Sequence, residues 1–292
     1  MSNLELPLVF FTVLSQTAIG LVIISTLRQW AVDGPTGNIR GEWVAASALI
    51  IAGMVASFFH LGHPLEGYTA LKHLDKAWLS REVLGVSIFL GLTVLGMFMA
   101  RDKISGPVAF GAAIVGLATI LFMGMTYSPP SYPAINNVLP LVFFLMTALL
   151  LGTSFGSWFA SPEKRIWLTR VLAVTLIVGL VVYLIVPCVW LSGGTVMAQT
   201  GWAWIGSPLY WARIIIGLVL PLAAVWMTRD VPAWLPTIIL IGEIMGRMVF
   251  FKDTLHAAGN LGGPVGHCVW NELDGTVCSK PSASEHDILR FQ

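Results

Sequence analysis

Acids, bases and aromatic rings gather at one stretch of this chain. It runs from Phe59-His60 through His63, Pro64 and Tyr68 to Trp78, Ser80, Arg81 and Glu82. Histidine titrates near neutrality, and a carboxylate beside it at a water–lipid boundary can accept and relay the protons of a lipid-soluble two-proton carrier. A quinol is such a carrier: one of its oxygens needs a donor or acceptor, the other needs a proton acceptor, and its isoprenoid tail needs an apolar cleft. Each group also has a purely structural reading. The helix dipole favours histidine at a helix C-terminus and glutamate at an N-terminus. Gly62 and Pro64 suit a helix end, and Ser80 suits a cap.

A second chemical feature lies near the end of the apolar sequence, where Glu243 and Arg247 stand four residues apart between Gly242 and Phe251. That spacing puts them on one helix face, with the acid on the favourable N-terminal side. The expected arrangement is a self-neutralising structural intramembrane pair, since ionisable groups inside hydrocarbon are costly unless paired. A proton or substrate contact is the sharper alternative. Gly242 and Gly246 flank the face and would let a neighbouring helix approach closely. Arg213, a few residues into the seventh span, could join this cluster or snorkel to the surface, and snorkelling is the expectation.

Side chains that could hold a redox centre are scarce. The histidines are His60, His63, His73, His256, His267 and His286, with none from residue 74 to 255. A haem in a helix bundle needs axial ligands projecting from the helices around it, usually histidines, so a bis-histidine haem is excluded from that region. Cys188, Cys268 and Cys278 are too few for a four-thiolate iron–sulfur cluster and lack zinc spacing. No haem, cluster or metal is therefore expected in this chain. Cys188 reads as a small apolar filler. Cys268 and Cys278 share a polar tail, where a disulfide could close a short loop if the compartment is oxidising.

The elements that must position these groups follow from composition. Of 292 residues, 56% are hydrophobic and 11% charged, and the mean hydropathy is +0.81, far outside the soluble range. A net charge of +1 with no basic stripe excludes nucleic acid as a partner. A bilayer core needs about 20 apolar residues per helix. Charges and prolines delimit such runs at Leu6 to Leu27, Trp43 to Phe59, Val83 to Ala100, Pro107 to Thr126, Val138 to Phe159, Ile166 to Trp190, Leu209 to Met227 and Trp234 to Phe251. The prolines of Ser128 to Pro133 separate the fourth run from the fifth. The expected fold is an all-α polytopic integral membrane protein of eight transmembrane helices, arranged as two four-helix bundles. It comprises a transmembrane domain over residues 1–251 and a polar tail over 252–292. The opening MSNLELP has no basic segment or cleavage pattern, so the first apolar run is read as retained.

Eight spans put both termini on one side. The loops of the opposite side hold Arg28, Arg40, Arg101, Lys103, Lys164, Arg165 and Arg229, against Lys72, Lys76, Arg81 and Lys252 on the terminal side. The positive-inside rule then places both termini outside the cytoplasm.

Several of these segments are familiar together. Phe59-His-Leu-Gly-His-Pro64, Leu79-Ser-Arg-Glu82, Gly242-Glu-Ile-Met-Gly-Arg-Met-Val-Phe250 and the opening Pro7 to Gln16 resemble the membrane-anchor subunit of dimethyl sulfoxide reductase. The resemblance covers spans one to three and seven to eight. It implies a haem-free, eight-helix anchor in the inner membrane that takes electrons from menaquinol in the quinone pool. These pass to a four-cluster iron–sulfur subunit and on to a molybdopterin catalytic subunit, in anaerobic respiration. The family's histidine and glutamate implicated in menaquinol oxidation match His60 and Glu82, and Arg81, His63 and Tyr68 complete the candidate quinol-binding set. The segment from Lys252 to His256 and the cysteine-containing tail depart from the family pattern. Two other readings stand beside this one. A secondary transporter would use Glu82, Glu243 and Arg247 as coupling groups, and would show broken helices and an inverted repeat. A passive anchor would have no quinone site.

Overall fold

The computed structural model describes residues 5–30, 33–59, 71–100 and 103–257, together with the backbone of 267–271 and 275–279. His60, His63 and Tyr68 lie outside the described residues. The body is helical: α1 (Leu6–Trp30), α2 (Ile39–Phe58), α3 (Trp78–Met99), α4 (Gly106–Thr126), α5 (Leu139–Gly156), α6 (Pro162–Leu191), α7 (Thr195–Gly206), α8 (Pro208–Ile214), α9 (Leu220–Thr228) and α10 (Leu235–Lys252). The tail contributes an antiparallel hairpin, β1 (His267–Asn271) and β2 (Gly275–Ser279).

Among the described residues, seven stretches are long and apolar enough to cross a membrane, α8 and α9 counting as one over Pro208–Thr228. The eighth expected span is α10. Its 18 residues could reach about 27 Å at 1.5 Å per residue, but they include Glu243, Arg247 and Lys252. Long apolar side chains such as Phe98, Ile114 and Val174 are largely exposed around the outside, a surface that water would not tolerate. Exposed tryptophans collect at the helix ends, with Trp30, Trp158, Trp226 and Trp234 toward one face and Trp78, Trp202 and Trp211 toward the other. Such belts mark the two water–lipid interfaces.

The helices alternate in direction. At the first face, where α1 begins, the α4–α5 connection meets the segment beyond α10: Ala257 donates its backbone N–H to Ser131 O at 2.7 Å, and Tyr132 stacks edge-on against His256. At the second face Asn38 N–H donates to Phe159 O, and the Ser161 hydroxyl donates to Pro35 O. The connection after α9 joins them through Arg165, which pairs with Asp230 at 3.1 Å.

α1 is the central column, buried along nearly its whole length. It packs on α2, α4, α5 and α10, so it touches elements from both halves of the sequence. Its crossing with α5 is a backbone contact. A Cβ on Gly20 would stand 1.9 Å from Ala148 O, and one on Gly152 would meet the Gly20 carbonyl carbon at 2.3 Å. Three threonines of α1, Thr12, Thr17 and Thr26, donate back to carbonyls one turn earlier.

Several expected boundaries move. α2 begins at Ile39 and α3 at Trp78, each several residues before the expected start. The apolar runs were bounded at Glu42 and Glu82, but both side chains are buried, so the charges lie inside the helices. Ser80 does not cap α3; Ala77 precedes the helix and supplies no side-chain cap. The unexpected α7 occupies the connection after α6. The seventh span contains a π-helical turn at Ile215–Val219. Pro221 has no N–H to give to the Gly217 carbonyl, and the Leu220 N–H bonds Ile215 O instead. In α6, Pro187 likewise cannot bond the Tyr183 carbonyl, and the Tyr210 hydroxyl donates to it at 2.7 Å.

Candidate functional site

A 3₁₀ turn at residues 71–73 and a hydrogen-bonded turn at 74–76 lead into α3 at the first face. Arg81 folds back onto this lead-in. Its Nε donates to Leu74 O and its Nη2 to Asp75 O, both at 2.9 Å, while its guanidinium lies 4.3 Å from the centre of the Trp78 ring. Helical rotation turns the next residue inward, and Glu82 is 1% exposed. Gly85 lets α4 come close on that side: a Cβ there would meet Thr119 Oγ1 at 2.6 Å. The Thr126 hydroxyl lies against the Glu82 carboxyl. Oxygen Oε2 of Glu82 has no hydrogen-bond partner among the described residues.

Tyr127 ends α4 beside this carboxyl. Its ring packs edge-on against Phe144 at 5.5 Å and Phe251 at 5.4 Å. Desolvation pushes its phenol well above the ordinary range, the Glu82 carboxylate adding to the rise and the Arg247 guanidinium opposing it. Behind Phe144 the polar groups continue into the membrane. Arg247 stacks on that ring at 4.1 Å, and its Nη2 donates to Gln16 Oε1 at 2.6 Å and to Thr147 Oγ1 at 3.1 Å. The Thr147 hydroxyl stands 2.7 Å from Glu243 Oε2, and Arg213 pairs with the other Glu243 oxygen at 2.5 Å.

This corrects the expected Glu243–Arg247 ion pair. The two share a helix face, but the salt bridge of Glu243 is made by Arg213 of α8, and Arg247 is held by Gln16 and Thr147 from α1 and α5. Arg213 does not snorkel; it is 1% exposed. Gly217, Gly242 and Gly246 make the room: Cβ atoms at Gly217 and Gly246 would stand 2.5 Å and 2.8 Å from the Arg213 side chain, and one at Gly242 would stand 2.3 Å from the Gly217 Cα. The close approach expected at Gly242 and Gly246 is present, and its partner is the seventh span.

A separate buried cluster lies near the second face. Arg28 and Glu42 pair at 2.5 Å, both 0% exposed, and Arg28 Nη1 donates to Gly156 O at 3.0 Å. Lys164 donates to the Arg28 carbonyl, Trp43 Nε1 donates to Ser25 Oγ, and the Ile104 N–H donates to Gln29 Oε1. Two of the cations counted toward the positive side, Arg28 and Lys164, are therefore buried there.

Of the candidate site residues, Glu82 and Arg81 are adjacent in sequence and diverge in space. The residues sequence reasoning missed are Thr126, Tyr127, Gln16 and Thr147; Arg213, expected at the surface, joins the buried cluster instead. A signal existed for three of them: Gln16 is a lone amide within an apolar span, and Thr126-Tyr127 closes the fourth run just before its proline break.

An apolar exterior between two tryptophan belts, with polar chemistry drawn into the interior of a helical body, defines a multi-pass membrane protein. Residues 1–200 match the DMSO reductase anchor subunit family (DmsC), and the protein belongs to that family. It is similar to the C subunit of anaerobic dimethyl sulfoxide reductase from Haemophilus influenzae, 31% identical over 55% of this sequence and 60% of the relative. The YnfH subunit of an Escherichia coli anaerobic dimethyl sulfoxide reductase is 29% identical over 51% of this sequence and 55% of the relative. The match thus spans somewhat over half the length of these two relatives. The C subunit of the E. coli enzyme is 24% identical over 85% of this sequence and 94% of the relative.

Proposed function

We propose that this protein is the quinol-oxidising anchor of a molybdopterin and iron–sulfur reductase complex, serving anaerobic respiration from the inner membrane. Menaquinol enters from the quinone pool in the bilayer and binds near the first face. Each quinol oxidised gives one quinone, two protons and two electrons. Glu82 accepts a proton, and His60 holds the other quinol oxygen. His63 and Tyr68 border the head group, and Arg81 holds the lead-in to α3 at the mouth of the site. Thr126 and Tyr127 line the path by which the proton leaves Glu82. The electrons pass to a four-cluster iron–sulfur subunit docked on the same face, and from it to the molybdopterin subunit. The first face, with both termini and the tail of residues 252–292, lies in the periplasm, and α10 crosses the membrane as the eighth span.

One observation carries the reading. Glu82 is buried close to a membrane face with one oxygen lacking a hydrogen bond and no salt-bridge partner among the described residues. A buried carboxylate in that state is costly unless a proton or a ligand satisfies it, and such a group is suited to proton exchange with a bound carrier. The test replaces Glu82 and His60 together, by Glu82→Gln and His60→Gln, in the assembled complex. Turnover with menaquinol should vanish, while turnover with a reduced viologen that feeds the iron–sulfur subunit directly should persist. Unchanged menaquinol turnover would sink the proposal.

A further inference from the structure

The tail places two of the protein's three cysteines opposite one another. In the β1–β2 hairpin, Cys268 and Cys278 are direct partners in the antiparallel register, flanked by Val269 opposite Val277 and His267 opposite Ser279. Antiparallel partners have Cα atoms about 4.5 or about 5.5 Å apart, depending on the pair type. Both distances fall inside the range of roughly 4.4–6.8 Å that a disulfide spans. The third cysteine is no competitor. Cys188 lies in α6, facing outward from the helix body, with its thiol on the Leu184 carbonyl.

We propose that Cys268 and Cys278 are joined by a disulfide that staples the tail hairpin. A two-stranded hairpin with short strands is marginal in water by itself, and a cross-link between opposed residues restricts its open ensemble. Two thiols lose two protons and two electrons as the sulfur–sulfur bond forms. The electrons go to an oxidised dithiol protein, whose own disulfide is reduced by exchange. Such oxidants act outside the cytoplasm, so the inference rests on the periplasmic placement of the tail proposed above.

The test separates the two. Spheroplasts of bacteria expressing the full-length protein as Cys188→Ser, which leaves only the tail cysteines, are treated with a membrane-impermeant, mass-tagged maleimide before and after a permeant phosphine reductant. The expected result is no tag before reduction and two tags after it. In a Cys188→Ser, Cys268→Ser double variant, Cys278 should be tagged without reductant. Two tags from outside before reduction overturn the disulfide and leave the periplasmic placement standing. Tagging without reductant that appears only after lysis overturns both. A Cys278 that stays untagged when Cys268 is absent also overturns the pairing.

Discussion

Glu42 and Glu82 invite comparison because their local positions are so alike. One lies in the first turn of α2 and the other early in α3; each is within 1% of complete burial and near a membrane face. Each has one oxygen without a hydrogen-bond donor. They differ in what stands beside them. Glu42 has the Arg28 guanidinium, itself fixed to the Gly156 carbonyl, with Lys164 on the Arg28 backbone. Glu82 has a hydroxyl and a phenol, Thr126 and Tyr127. The neighbouring cation, Arg81, is turned away onto Leu74 and Asp75. A buried acid with a fixed counter-charge joins helices together, whereas one surrounded by neutral hydroxyl groups can gain and lose a proton.

The largest expected effect tests the second half of that contrast. Glu82→Gln keeps the shape of the side chain and removes its titration, so menaquinol turnover should fall by about 10²- to 10⁴-fold. Thermal stability of the purified complex should change little. If Glu82→Gln unfolds the protein and leaves turnover per folded molecule intact, the two glutamates are alike. Next is Arg28→Leu, which strands the Glu42 charge and should destabilise by about 3–5 kcal/mol. Heat denaturation in detergent would measure this, and Glu42→Leu added to Arg28→Leu should restore much of the loss. Gly152→Ala should cost about 1–3 kcal/mol, because it pushes a methyl group into the α1 backbone at Gly20. The smallest effect is Tyr210→Phe, about 1 kcal/mol for the lost bond to the Tyr183 carbonyl. Measured in the same denaturation series, it sets the scale for an ordinary buried hydrogen bond against the charged pair.

Much of the helical layout was legible because lipid exposure and helix length act over long stretches of sequence. The end of α4 and the start of α5 bracket the proline-rich connection as expected, and the glycines of α10 do admit a neighbour. The partners of the charged groups were not legible. Glu243 and Arg247 satisfy the local rule for a pair, yet Arg213 lies 30 residues before Glu243, and no periodicity says which helix will lie against that face. The same limit hid Gln16 as the partner of Arg247. Charge positions also misled the boundaries of α2 and α3: a glutamate after a loop reads as the edge of the membrane segment, and only its partner or surroundings show that it belongs inside. The π-helical turn escaped because a proline at residue 221 breaks one bond in any helix, and a kink or a π turn can each absorb the break.

The bond from Tyr210 to the Tyr183 carbonyl carries a consequence for the order in which this protein can change. The carbonyl needs an outside donor only because residue 187 is a proline. Replace Pro187 first with an ordinary helix former, and its amide can take over the carbonyl, leaving position 210 free to vary. Replace Tyr210 first, and every intermediate carries a bare carbonyl buried in the protein interior. Substitutions at the two sites are therefore accessible in one sequence and obstructed in the other, so a proline and a tyrosine from different helices behave as one inherited unit.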